Sequence, residues 1–164
     1  MPKLHLLLKA ELENVTNLRP SSLDHQWNFQ VKCTSCHEQH DSWISFNATD
    51  ESEIPNSRGS ANFTLKCKSC KAQTNASILS DSFKPYTAEN GAAQPVLTIE
   101  TRGLDFVGWR PANGQIWIVE GVESGVVFDD VEFEDGELDW AGYDEKAQCS
   151  VGVNGIHGEF AKAK

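Results

Sequence analysis

Two C-x-x-C pairs limit what this chain can fold into more than any other feature of its sequence. Cys33-Thr34-Ser35-Cys36 and Cys67-Lys68-Ser69-Cys70 are separated by thirty residues. Four thiolates at this spacing are typical of a tetrahedral zinc site. Because four sulfurs leave zinc no open position for a water or a substrate, we expect a closed, structural site.

Each cysteine pair follows a segment in which apolar and polar residues alternate, as they do in a half-buried strand. The alternating apolar positions are Trp27, Phe29, Val31 and Cys33 before the first pair, and Ala61, Phe63, Leu65 and Cys67 before the second. We therefore expect each pair to form a zinc knuckle at the tip of a strand, with the two knuckles facing each other.

The same period of two recurs along most of the chain. It is present between Leu4 and Leu12, and further strands are predicted over 42–47, 74–80, 95–101, 115–120, 126–133 and 146–153. No long segment has the period of a helix. The sequence predicts an all-β protein with an antiparallel, β-sandwich-like fold.

The residues around the cysteines suit metal binding. Adjacent thiolates repel one another, and we expect nearby lysines to reduce that repulsion, namely Lys32, Lys66, Lys68 and Lys71. Ser35 and Ser69 are small, as expected where backbone N–H groups turn towards the sulfurs. An all-sulfur site suits zinc or iron, and Cu(I) also favours thiolates; zinc is the metal that we predict.

His37 and His40 follow the first pair closely and could replace a cysteine as ligand. Four cysteines already complete the coordination sphere, so surface positions beside the knuckle are the preferred interpretation of both histidines.

Length and charge narrow the functional classes. The 164 residues fit a single domain over 1–164. The formal net charge of −10 makes nucleic acid and anionic membranes poor partners. Lys9 and Glu11 interrupt the N-terminal apolar stretch before it reaches the length of a signal-peptide core. We therefore expect a cytoplasmic or nuclear protein, in a compartment where C-x-x-C pairs bind metals more often than they form disulfides.

Cys149 is the one cysteine outside the two pairs. It shares an alternating face with Ala147 and Val151, which indicates a small buried residue in a strand. The alternative is a catalytic nucleophile, as in methionine sulfoxide reductases, where a four-cysteine zinc site stabilises a sheet that carries a separate reactive cysteine.

Residues 129–145, the acidic segment, contain nine carboxylates, with Phe133, Trp140 and Tyr143 among them. A solvated face is the preferred interpretation of such a charge run. The aromatic residues favour the alternative, a surface that docks a basic partner.

Two polar segments with Pro and Gly, 50–59 and 84–94, are predicted loops. The second separates a zinc-binding half, 1–84, from a cysteine-poor half, 95–164. Residues 12–20 resemble 104–111 with one gap, and 29–33 resemble 117–121. An internal repeat and a chance similarity between strands both fit this pattern.

Several short motifs also occur in a particular order: KAELENV at 9–15, SRGSANF at 57–63, the two cysteine pairs, RGL at 102–104, and Trp140 followed by YDEK at 143–146. Together they resemble the eukaryotic CXXC-motif-containing zinc-binding protein family. The resemblance extends over the chain apart from residues 154–164.

This resemblance implies a β-rich fold of two pseudo-symmetric halves, of which the first alone binds zinc. It implies that the zinc ligands are Cys33, Cys36, Cys67 and Cys70, and it carries no catalytic residues over to this chain. Members of the family are described as cytosolic and nuclear, and a copper chaperone has been suggested as a partner.

Three functions are compatible with these observations. The preferred one is a non-enzymatic, monomeric adaptor in which zinc holds the knuckles together while the strand surfaces or the acidic segment bind another protein. The second is the handling of zinc or copper in association with a metallochaperone. The third is a thiol redox enzyme that uses Cys149 or a C-x-x-C pair.

Overall fold

The alternating segments of the sequence form strands that pair only in antiparallel fashion. The computed structural model describes residues 2–55, 57–87, 92–134 and 136–163. In these ranges there are fourteen strands and no helix, and hence no helix able to cross a membrane. The strands are β1 (Lys3–Glu13), β2 (Val15–Pro20), β3 (Trp27–Cys33), β4 (Ile44–Phe46), β5 (Ser52–Glu53), β6 (Ser60–Ala61), β7 (Phe63–Lys66), β8 (Gln73–Ile78), β9 (Gln94–Arg102), β10 (Leu104–Arg110), β11 (Trp117–Gly121), β12 (Val127–Val131), β13 (Trp140–Asp144) and β14 (Cys149–Lys162).

The strands of the two halves occupy equivalent positions in the sheets. The largest sheet has the order β13-β14-β1-β9-β8-β7, and two three-stranded sheets have the orders β10-β3-β4 and β2-β11-β12. Exchanging β1, β2, β3, β4, β7 and β8 with β9, β10, β11, β12, β13 and β14, respectively, converts one three-stranded sheet into the other. The same exchange returns the largest sheet with its order reversed. Both the all-β class and the two pseudo-symmetric halves are therefore confirmed; a common origin of the halves stays a prediction.

The two halves exchange strands. β3 of the first half pairs with β10 of the second, and β11 of the second pairs with β2 of the first. At the equivalent corners, Asn14 and Gly103 have φ of 58° and 83°, the left-handed conformation that Asn and Gly tolerate best. These corners turn the chain from the largest sheet into a smaller one.

The core follows the alternation predicted from the sequence. In β3 every second residue from Trp27 to Cys33 is buried, and in β1 Leu6, Leu8 and Ala10 are buried. One aromatic group of the core surrounds Phe29, whose ring centroid lies 5.1 Å from that of Phe106 and 6.0 Å from that of Phe160. Burial of such rings stabilises the fold by about 1.5–3 kcal/mol each.

Three details of the sequence-based prediction need correction. The last strand, predicted over 146–153, is β14 and continues to Lys162, because Phe160 packs into the core and 152–162 pair with β1. The predicted loop 50–59 contains β5, although Asn56 lies outside the described residues. Within the predicted loop 84–94, Tyr86 is fully buried, and 88–91 lie outside the described residues.

His25 is a titratable side chain buried in the aromatic core. Its ring centroid lies 4.8 Å from that of Trp27 and 4.6 Å from that of Trp117. Burial lowers the pKa of His25 from 6.5 to about 4, and it outweighs the hydrogen bond to the Ile116 carbonyl and the charge of Asp24. The folded protein therefore holds this imidazole neutral.

We expect this neutral histidine to destabilise the protein as the pH falls from 6.5 to about 4. In this window the unfolded chain binds a proton at His25 and the folded chain does not, which corresponds to a loss of about 3 kcal/mol. Urea unfolding across this pH range should show a steeper loss for the natural chain than for His25→Phe, which keeps an aromatic ring and cannot titrate. Equal losses in both proteins would contradict the prediction. Protonation of the cysteines affects both proteins alike.

Candidate metal centre

The first cysteine pair begins at the last residue of β3 and forms a tight turn. The N–H of Cys33 donates to the carbonyl of Glu38 at 2.9 Å, and the N–H of His37 donates to the carbonyl of Cys33 at 2.9 Å. His37 reverses the chain with a φ of 62°. We call this arrangement, with two backbone hydrogen bonds around a residue i and a positive φ at i+4, the knuckle turn.

The second cysteine pair forms the same knuckle turn directly after β7. The N–H of Cys67 donates to the carbonyl of Ala72 at 2.9 Å, and the N–H of Lys71 donates to the carbonyl of Cys67 at 3.0 Å. Lys71 has a φ of 64°. Both pairs thus lie at the tips of strands, as the alternating pattern predicts.

The two knuckle turns bring the four cysteine sulfurs together. All four Sγ atoms lie within 4.8 Å of one another, with 3.6 Å between Cys33 and Cys70 and 3.6 Å between Cys36 and Cys67. The cysteines are free thiols. At a Zn–S distance of about 2.3 Å, sulfurs at the corners of a tetrahedron lie about 3.8 Å apart. The cluster therefore has the donor set and the dimensions that zinc requires.

Backbone amides favour the thiolate at the first cysteine of each pair, whereas burial and hydrogen bonds from neighbouring thiols raise the pKa of Cys36 and Cys70. The N–H groups of Cys36 and Ser35 lower the pKa of the Cys33 thiol to about 7, although burial acts in the opposite direction. The N–H groups of Cys70 and Ser69 likewise lower the pKa of the Cys67 thiol. The small serines between the cysteines therefore have the role that the sequence predicts.

Two of the four lysines near the cysteines contact oxygen atoms outside the sulfur cluster. Lys68 lies 3.8 Å from a carboxylate oxygen of Asp41, and Lys71 donates to the carbonyl of Lys68 at 3.0 Å. Their predicted role in reducing repulsion among the thiolates stays a prediction.

The histidines lie outside the sulfur cluster. His37 is exposed, and His40 is half-buried, with its backbone N–H donating to Val31. The ligand group found in the described residues contains the four cysteines and neither histidine, in agreement with the preferred interpretation.

A contact between the knuckles was missed by the sequence reasoning. The hydroxyl of Ser69 in the second knuckle donates to a carboxylate oxygen of Glu38 beside the first, at 2.6 Å. The first knuckle is also held by the second half of the chain, because the N–H of Thr34 donates to the carbonyl of Gly103 at 3.0 Å. No local pattern indicates these contacts, since their partners are distant in sequence.

The sulfur cluster is buried on one side and open on the other. Cys33 is buried and Cys67 half-buried, whereas Cys36 and Cys70 are exposed. A metal at this cluster would be anchored to the fold through Cys33 and would face solvent on the side of Cys36 and Cys70.

Cys149 lies apart from the sulfur cluster, at the start of β14. It is half-buried, whereas the alternating pattern predicted a buried residue. Burial raises the pKa of its thiol, and the carboxylates of Asp144, Glu123 and Glu13 add to this effect. These surroundings disfavour the thiolate that a nucleophile needs.

Comparison with known proteins agrees with this geometry. The family model of the eukaryotic CXXC motif containing zinc binding protein matches residues 5–161. The chain belongs to this family. The match includes most of the tail, 154–164, which the sequence motifs left outside the resemblance.

Similar proteins cover the chain almost completely. The CXXC motif containing zinc binding protein of Homo sapiens is 42% identical over 163 residues, 99% of each chain, and that of Xenopus laevis is 36% identical over 163 residues, also 99% of each. The crystal structure of C1orf123 superposes with a TM-score of 0.88 at 42% identity, covering 98% of this chain and 99% of that one. A hypothetical protein from Plasmodium falciparum gives a TM-score of 0.81 at 28% identity, covering 98% and 100%.

Membership of a zinc-binding family and a sulfur cluster of tetrahedral dimensions together identify Zn(II) as the metal of this CXXC protein. The metal would be held by thiolates on two knuckle turns, each already supplied with backbone N–H donors.

Removing one sulfur should cost the protein its zinc and part of its stability. Treated as a cross-link that closes the loop between Cys36 and Cys67, zinc contributes about 3–4 kcal/mol. We expect Cys67→Ser to lower the melting temperature by about 6–16 °C, since 1 kcal/mol corresponds to about 2–4 °C at this size. Zinc content and calorimetry measure the effect, with Cys149→Ser as the control that keeps both. An unchanged melting temperature in Cys67→Ser would show that the metal site is not structural.

Proposed function

We propose that this CXXC protein is a non-enzymatic adaptor whose zinc is structural and bound by Cys33, Cys36, Cys67 and Cys70. The observation that carries this proposal is the completeness of the sulfur cluster: four thiols at tetrahedral separations supply all the ligands that a structural zinc needs. Such a zinc has no free position at which to activate a water or a substrate, so the activity is assigned to the protein surface.

The acidic segment supplies a surface suited to a basic partner. Part of it lines an open groove of about 420 Å³, formed by Asp130, Glu132, Glu134, Glu137, Asp139 and Trp140. Carboxylates surround the half-buried indole of Trp140, and an indole face attracts Lys and Arg side chains. Asp135 lies outside the described residues. The charge run alone favours a solvated face. The groove supports the alternative interpretation, in which the acidic segment docks a basic partner.

The same segment also carries two sheet edges. β12 is an outer strand of the sheet β2-β11-β12, and β13 is an outer strand of the largest sheet. Val127 and Tyr143, on these strands, are exposed large apolar side chains. An extended basic peptide can therefore combine charge attraction with pairing to a strand edge.

Neutralising the acidic groove should weaken the binding of a short Lys- and Arg-rich peptide. We expect about tenfold weaker binding for Asp130→Asn/Glu132→Gln/Glu137→Gln, which corresponds to about 1.4 kcal/mol. Fluorescence anisotropy of the labelled peptide measures the change, and binding of the natural chain should weaken as salt is added.

The control for this experiment neutralises carboxylates outside the acidic segment, in Glu51→Gln/Glu53→Gln/Asp81→Asn. These residues are exposed, and both variants lose the same charge. If the control weakens binding as much as the groove variant, the peptide recognises net charge and the proposed docking surface is wrong.

A second candidate function is metal handling, meaning the delivery or sensing of zinc or copper. The exposure of Cys36 and Cys70 favours it, because an incoming ligand can reach these sulfurs while Cys33 stays anchored. A copper chaperone is the partner that we propose for this function. The third candidate is a thiol redox enzyme. The raised pKa of Cys149 disfavours the form that uses Cys149, and zinc binding would occupy the thiols of both C-x-x-C pairs.

Metal handling predicts zinc that exchanges by attack at the exposed sulfurs. The rate of zinc loss should then rise with chelator concentration. Ser69→Ala, which removes the contact with Glu38 between the knuckles, should accelerate the loss about fivefold, since one hydrogen bond contributes about 1 kcal/mol. Ser35→Ala, at the equivalent position of the first knuckle, is the matched control. A slow rate that is independent of chelator concentration would argue against transfer.

For both candidates we propose a monomer in the cytoplasm and nucleus, with protein partners in place of nucleic acid or membranes. The acidic net charge of −10 supports this choice of partner.

A further inference from the structure

The knuckle turn also occurs at the end of β11, in the half without paired cysteines. The N–H of Gly121 donates to the carbonyl of Val126 at 2.8 Å, and the N–H of Gly125 donates to the carbonyl of Gly121 at 2.9 Å. Gly125 has a φ of 71°. These are the hydrogen bonds and the backbone conformation that surround Cys33 at the end of β3.

The turn that connects β13 to β14 shares part of this geometry. Asp144 faces Cys149 in the antiparallel ladder, and Gln148, four residues after Asp144, has a φ of 55°. A carboxylate oxygen of Asp144 accepts the N–H groups of Lys146 at 3.1 Å and Ala147 at 3.0 Å. The sulfur of Cys33 likewise accepts N–H groups from the residues two and three positions later, Ser35 and Cys36.

The order of the strands gives a position-by-position correspondence. The turn after β3 corresponds to the turn after β11, and the turn after β7 corresponds to the turn after β13. The positions that correspond to the four cysteines, in chain order, are Gly121, Ser124, Asp144 and Ala147.

Three of these four positions, Gly121, Ser124 and Asp144, converge on a common centre. The hydroxyl of Ser124 donates to a carboxylate oxygen of Asp144 at 2.5 Å. A Cβ added to Gly121 would lie 2.5 Å from that hydroxyl oxygen and 2.6 Å from that carboxylate oxygen. Position 121 therefore points at the pair, as Cys33 points at the sulfur cluster. Glycine is required there because the Ser124–Asp144 pair already fills the space.

We propose that the second half contains a latent zinc site at these four positions, in which the hydrogen bond between Ser124 and Asp144 takes the place of the metal. We call this pair the Ser–Asp staple. It joins the turns after β11 and β13, as the sulfur cluster joins the turns after β3 and β7. The inference goes beyond the proposed function, since it concerns the half that has no paired cysteines.

The ionisation of Asp144 agrees with this role. Asp144 is buried, and the hydrogen bonds from Ser124 and from the backbone of Ala147 and Lys146 lower the pKa of its carboxyl. The Ser–Asp staple is thus a charge-assisted hydrogen bond, which is stronger than a hydrogen bond between two neutral groups.

Hydrogen exchange on the full, zinc-loaded chain tests the proposal. A chelator should speed amide exchange at 33–38 and 67–72 tenfold or more and leave 121–126 and 144–149 within about twofold of their original rates. Ser124→Ala and Asp144→Asn should do the reverse, with tenfold faster exchange at 121–126 and 144–149 and unchanged zinc content. Glu145→Gln, the exposed neighbour of Asp144, is the control and should change neither region.

Either of two results would overturn the proposal. One is that the chelator opens all four turns alike, and the other is that Ser124→Ala and Asp144→Asn leave exchange at 121–126 and 144–149 unchanged. Neither result depends on whether the protein is an adaptor, so failure here is distinct from failure of the proposed function.

Restoring the cysteines tests the latent site directly. In a Cys149→Ala background, Gly121→Cys/Ser124→Cys/Asp144→Cys/Ala147→Cys should bind two zinc ions per chain. Cobalt substitution should then double the thiolate-to-metal absorption of the natural chain. The matched control carries serine at the same four positions and should bind one. A folded cysteine variant with one zinc contradicts the proposal, and the exchange experiment decides if the variant does not fold.

Discussion

Strand exchange between the halves is the constraint on which the rest of the structure depends. β3, which ends in the first knuckle, pairs with β10, and the N–H of Thr34 in that knuckle donates to Gly103 at the β9–β10 corner. The sulfur cluster therefore occupies a position that the second half helps to define. Because each half completes the other's small sheet, neither half has a full set of backbone partners by itself.

The parts of this architecture that the sequence predicts are those with local signals. Alternation at Trp27, Phe29 and Val31 indicates a strand, and C-x-x-C spacing indicates a knuckle, because both patterns span only a few residues. Asp144 illustrates the limit. In the sequence it belongs to an acidic run, yet it is buried. No local pattern reveals this, because its partner Ser124 lies twenty residues away. Only the folded arrangement of β11 and β13 shows that this carboxylate differs from its exposed neighbours.

The two ends of the pseudo-symmetric fold use different chemistry for the same geometric task. Thiolate ligation depends on metal supply and on the redox state of the compartment. A hydrogen bond between a hydroxyl and an ionised carboxylate depends on neither and responds to pH. A single fold can thus hold one pair of turns under conditions that release the other, which is consistent with either an adaptor or a metal-handling role.

The pairing of β1 with β14 bears on how the chain is made. Leu4 faces Lys162 across the ladder, so β1 has no partner on that side until the later strand β14 has been synthesised. β1 waits for β9 on its other side as well. Until then its apolar face, with Leu6 and Leu8, has no complete cover. Contacts this distant in sequence slow folding and expose unpaired strands to other chains. The strand order therefore makes closure of the largest sheet depend on contacts that form only after β9 and β14 have been synthesised.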